Sequence, residues 1–102
     1  MDLAFETVRI HFPSVKGKKQ SEDGTAVFAN TVKAGDASVK GFHIQYSNDD
    51  HPVWQIEIAV RDVSIKGTAV SFWVDFLIRD KSGEIDDPYE GWVDVLVTAA
   101  LA

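Results

Sequence analysis

The chain contains no cysteine, which excludes a disulfide framework, a thiolate nucleophile and a cysteine-based zinc site. Secreted β-domains also do without cysteine, so the absence does not fix a compartment. No run approaches the roughly 18 apolar residues of a membrane span. The opening Met1-Asp2-Leu3-Ala4-Phe5-Glu6 lacks the basic and apolar segments of a signal peptide. Location is thereby left open between the cytoplasm and export by a non-classical route. Basic residues are in deficit, ten against sixteen acids, for a net charge of −6 and a pI near 4.8. Such a surface repels phosphate, so nucleic acid is not expected as a partner. The basic cluster Lys16-Gly17-Lys18-Lys19 runs straight into Glu22 and Asp23 and reads as a solvated loop. No Gly-rich phosphate loop, nucleophile elbow, internal repeat or amphipathic helix is present, and the chain is expected to be non-catalytic.

What is present is a period of two. The 102 residues make one domain, long enough for a single core. Alternation places a first strand around 4–12, ended by Pro13, and Ser14–Gly24 reads as a loop. A short second strand is expected around 26–33 and a third around 38–46, with Gly41 marking a bulge. Trp54, Ile56, Ile58 and Val60 alternate with polar partners in a fourth strand. Val63 and Ile65 fall on the opposite parity, so a bulge is expected near Arg61-Asp62. Lys66-Gly67 should close a hairpin onto a fifth strand at 69–79. Val93, Val95 and Val97 mark a sixth around 91–98. Six strands with short turns and no helix predict an all-β, six-stranded antiparallel β-sandwich. The expected core is Val8, Ile10, Phe42, Ile44, Trp54, Ile56, Ile58, Val70, Phe72, Val74, Val93 and Val95.

The outward faces of the last two strands are also apolar. If those strands pair, Trp73, Leu77, Trp92 and Leu96 form one patch. Either the N-terminal loop covers it or it is a subunit interface.

Between these strands lies Asp80–Glu90, with five acids and one lysine. A loop of this kind is where a small β-domain recognises a partner. Asp80, Glu84 and Asp86 offer hard oxygens for calcium, although the spacing is not that of an EF-hand, and a solvated acidic turn remains the simpler reading. His51, beside Asp49 and Asp50, reads as a turn residue more readily than as a metal ligand. Sugars are held by aromatic faces and hydrogen-bonding side chains. The candidate ligand contacts are Asp49, Asp50, His51, Asp86, Asp87 and Tyr89.

Several segments together resemble the H-type lectin domain, the family of snail agglutinins and of the discoidin C-terminal domain. They are Gly41-Phe42-His43-Ile44, Ile56 through Ser64, Lys66 through Asp75, and Gly91-Trp92-Val93-Asp94-Val95. The resemblance implies a six-stranded sandwich, a homo-trimer or hexamer, and glycan binding in loops near the subunit boundary. The acidic loop is longer than the family's, and no residue is carried over as a sugar contact. The alternative expectation is a structural or assembly subunit, of toxin, phage-tail or adhesion type, with no glycan ligand.

Overall fold

A computed structural model describes residues 2–48, 51–83, 85 and 87–102. The chain folds into six antiparallel strands: β1 (Asp2–Val15), β2 (Gln20–Val27), β3 (Val32–Tyr46), β4 (Val53–Lys66), β5 (Ala69–Asp80) and β6 (Tyr89–Leu101). They form two three-stranded sheets, ordered β1-β6-β3 and β2-β5-β4, in an elongated sandwich of 50 × 18 × 17 Å. Among the described residues no helix is long and apolar enough to cross a membrane.

The two central strands hold the core. Val70, Phe72, Val74, Phe76 and Ile78 of β5 face Val93, Val95, Val97 and Ala99 of β6, and all are buried. Strict alternation explains this, since every second side chain of a strand points to one face. The hairpin at Lys66-Gly67 is present, with Gly67 at φ 61°. The bulge near Arg61-Asp62 is present too. The β4–β5 register shifts between Arg61 and Ser64, and Asp62 adopts φ 53°. A shift between Val39 and Gly41 gives β3 its expected irregularity.

The second strand lies elsewhere than expected. β2 covers Gln20–Val27, most of it read as loop from sequence. Its inward positions are Gln20, Glu22, Gly24 and Ala26, by their pairing with Phe76, Val74, Phe72 and Val70. These residues give no apolar alternation. At Gly24 small size is what the packing needs, because a Cβ there would stand 2.7 Å from both Ile10 Cδ1 and Phe72 Cζ. Bulk from β1 and β5 thus fills the space that β2 leaves. Phe12 stacks on Phe76 at 4.3 Å, and Gln20 bonds across to Pro13 O at 3.1 Å.

The opposite margin, between β3 and β4, is not closed in this way. Phe42 pairs with Val93 and Ile56 with Ile78, so both point inward, yet they are 48% and 44% exposed. Trp54, at a register shift between Val53 and Gln55, is 69% exposed. These three are corrections to the expected core. Alternation shows which face a residue takes but not whether the other sheet reaches over it.

β5 and β6 do not pair; each is the middle strand of its own sheet. The expected single patch therefore does not form. Trp73 and Leu77 face outward from one sheet, and Trp92 and Leu96 from the other. Long polar side chains of the flanking strands overlie them. Leu77 is buried, and Lys19 and Glu57 join at 3.5 Å on either side of it. Lys40 crosses from β3 to Thr7 on β1 (3.1 Å), beside Leu96. Trp73 remains 40% exposed, with the Arg61 guanidinium 5.6 Å from its ring.

Candidate functional site: a groove beside Trp92

The outward face of the β1-β6-β3 sheet carries a row that runs across three strands. His11 pairs with Trp92, and Trp92 pairs with His43. The indole is therefore flanked by a histidine on each neighbouring strand. One residue pair further along, Arg9 forms a two-pronged bond with Asp94, Nε to Oδ1 at 2.8 Å and Nη2 to Oδ2 at 2.9 Å. The same guanidinium lies 3.8 Å from the Trp92 ring centroid. These bonds hold the Asp94 carboxyl below the usual carboxylate range and raise Arg9 above its own. Arg9 thus backs the indole on the Asp94 side.

In the other direction along β6 the row opens into a groove of about 440 Å³, lined by His11, Pro13, His43, Gln45, Glu90 and Trp92. Its polar groups are joined in a chain. His43 Nε2 donates to Gln45 Oε1 (2.9 Å), and Gln45 Nε2 donates to Glu90 Oε1 (3.3 Å). His43 also lies near-parallel to the indole, with centroids 6.2 Å apart. The floor is Gly91, where a Cβ would overlap the backbone carbonyl of His43. The groove therefore combines an apolar ring held from behind with donors and acceptors fixed on regular strands.

Sequence reading assigned Trp92 to a patch and gave His11 and His43 no role. The available signal was a single histidine on the outward parity of each of two strands. Only the strand order brings them to either side of one tryptophan.

The residues proposed from sequence are distributed differently. Tyr89 is fully buried, and its hydroxyl donates to Lys18 O (2.6 Å) and Phe76 O (3.1 Å). Burial raises its pKa. It is a structural pin and cannot contact a ligand, which corrects the expectation. His51 and Asp87 do meet, Nε2 to Oδ1 at 3.4 Å. Asp80 accepts from the amide of Ser82 at 2.9 Å and from its hydroxyl. These bonds, together with contact from Asp87, hold its carboxyl below the usual range. Asp49, Asp50, Glu84 and Asp86 lie outside the described residues.

Comparison with protein-family models, curated proteins and solved structures returned no match.

Proposed function

We propose that this chain is a non-catalytic carbohydrate-binding module, lectin-like, that acts as a homo-oligomer. The Trp92 groove carries the reading. A sugar ring presents C–H groups to a flat apolar surface and hydroxyls around its rim, each needing a donor or an acceptor. Trp92 supplies the surface, and His11, His43, Gln45 and Glu90 supply the rim partners. The volume lies within the range of small-ligand sites. Placement on strands limits the entropy lost when a ligand is held.

Self-association is supported by the open margin. Val39, Phe42 and Ile56 face inward and remain exposed along neighbouring edges of the two sheets. A second copy would cover this surface with the same chemistry, and several grooves on one assembly would turn weak single-site binding into avidity. The trimer or hexamer of the H-type resemblance sets the expected number. The same margin favours the alternative, an assembly subunit whose partner is protein alone.

A glycan array probed with the intact chain and with Trp92→Ala separates the two. A lectin gives discrete hits that Trp92→Ala loses by at least roughly tenfold, the scale of one lost ring-stacking contact. An array without hits leaves the assembly reading standing.

A further inference from the structure

Two acids flank Trp92 on its own strand, and the fold treats them differently. Glu90, Trp92 and Asp94 take alternate positions of β6 and share the outward face of the sheet. Each acid is two residues from the indole, roughly 7 Å along the strand. Arg9 holds Asp94 by two bonds, at 2.8 and 2.9 Å, so that charge is matched within the sheet. Among the described residues no cation meets Glu90, whose bond is to the neutral amide of Gln45 at 3.3 Å.

No lysine or arginine lines the groove, so Glu90 alone sets its fixed charge. Glu90 also sets the direction of the hydrogen-bond chain. A carboxylate only accepts, so the Gln45 amide turns Nε2 towards Glu90 and Oε1 towards His43. That oxygen requires a hydrogen on His43 Nε2, 2.9 Å away, and leaves Nδ1 of the neutral ring as an acceptor. The chain of donors therefore ends on Glu90, and Gln45 uses one of its two oxygens.

A rim that ends in acceptors selects a ligand that brings donors. Hydroxyl and amino groups supply them, and a donor held by a carboxylate makes a shorter, stronger bond than one held by a neutral oxygen. A carboxylate or sulfate on the ligand would meet Glu90 at close range, with no lysine or arginine in the groove to offset it. The net charge of the whole chain, −6, acts in the same sense.

We infer that Glu90 is the specificity-determining residue of the groove, which admits neutral and amino-bearing saccharides and rejects those that carry carboxylate or sulfate beside the stacked ring. The inference rests on the carbohydrate reading and adds the class of sugar to it. Trp92 offers its face to any pyranose, and Glu90 decides which substituents at the ring edge are tolerated. Both stand on one regular strand, so a ring stacked on the indole turns an edge towards the carboxylate.

The test probes the full chain and Glu90→Gln on an array of neutral, amino-bearing, sialylated, sulfated and uronic acid glycans. Parent hits should be neutral or amino-bearing, with each uronic acid glycan at least roughly tenfold weaker than the matching neutral hexose glycan. Glu90→Gln should move the two classes in opposite directions. Neutral glycans should weaken by roughly tenfold, the scale on which a charged acceptor exceeds a neutral one, while uronic acid glycans tighten. A variant that had only lost structure would weaken both. If Glu90→Gln fails to fold, the parent's discrimination is followed against salt and should narrow as ionic strength rises. An array with no hits overturns the carbohydrate reading and this inference with it. Anionic glycans bound on a par with neutral ones, discrimination unchanged in Glu90→Gln, or discrimination that salt does not narrow would overturn this inference alone.

Discussion

The two long margins of this sandwich are built from the same kind of strand and end in opposite states. Along β1 and β2, inward residues are large on one strand and small on the other. Ile10 and Phe12 project from β1, and Gly24 and Ala26 from β2, so the sheets meet and all but Gly24 are buried. Along β3 and β4 both strands present bulk, and the inward-facing Phe42 and Ile56 stay 48% and 44% exposed. A sandwich closes where volumes alternate across the gap and stays open where they compete. A closed margin contributes stability; an open apolar one is a surface that a partner can use.

The contrast can be broken most directly at two phenylalanines. Phe72 is 1% exposed and Phe42 is 48% exposed. Phe72→Ala should cost about 3–5 kcal/mol, enough to unfold much of the population. Phe42→Ala should cost about 1 kcal/mol in the monomer, since only half of its surface is out of water. Denaturant unfolding at a concentration where the chain is monomeric measures both. Equal losses would mean that the β3–β4 margin closes in solution.

A second comparison sharpens the role of the open side. Phe42→Asp combined with Ile56→Asp should leave the fold intact and abolish association, because charge would be forced into an apolar contact. Sedimentation or light scattering reads the mass. If the parent is an oligomer and the double variant keeps that mass, association runs through another face.

The smallest effect concerns the outer face of the second sheet. Asp75 accepts from Ser21 Oγ (2.6 Å) and from Arg61 Nε (3.0 Å), and Arg61 lowers its pKa most. Its folded pKa lies below the unfolded value of about 3.9. The stability it adds is therefore complete above about pH 4 and is lost as pH falls through the lower folded value. Asp75→Asn should be less stable than the parent at pH 7, by under about 1 kcal/mol because Arg61 is solvent-exposed. The difference should shrink towards pH 2, as followed by urea midpoints. A gap that widens in acid would remove this pair from the account.

Much of the fold was legible because alternation is local. β5 and β6, the Lys66-Gly67 hairpin and the Arg61-Asp62 bulge all follow from residues close together in the chain. β2 was illegible because its inward face is Gln, Glu, Gly and Ala, small or polar residues chosen to fit bulk that β1 and β5 supply. The strand order was illegible for a different reason. Nothing in periodicity states that β5 and β6 belong to separate sheets, and so Trp73 and Trp92 lie on different sheets and form no single patch. The groove shared that difficulty: His11, Trp92 and His43 are neighbours only through two long-range registers. The loop contacts were half legible, since His51 and Asp87 were singled out for ligand contact, but their meeting depends on where the β3–β4 and β5–β6 loops come together.

The location of sugar binding is tested most directly by the indole N–H signals of Trp54, Trp73 and Trp92 in a two-dimensional NMR titration with whichever glycan the array identifies. The account expects the Trp92 signal to move in step with ring signals of His11 and His43, while Trp54 and Trp73 hold still. A Trp92 signal that stays fixed while the glycan binds would place recognition elsewhere and contradict the groove as the site.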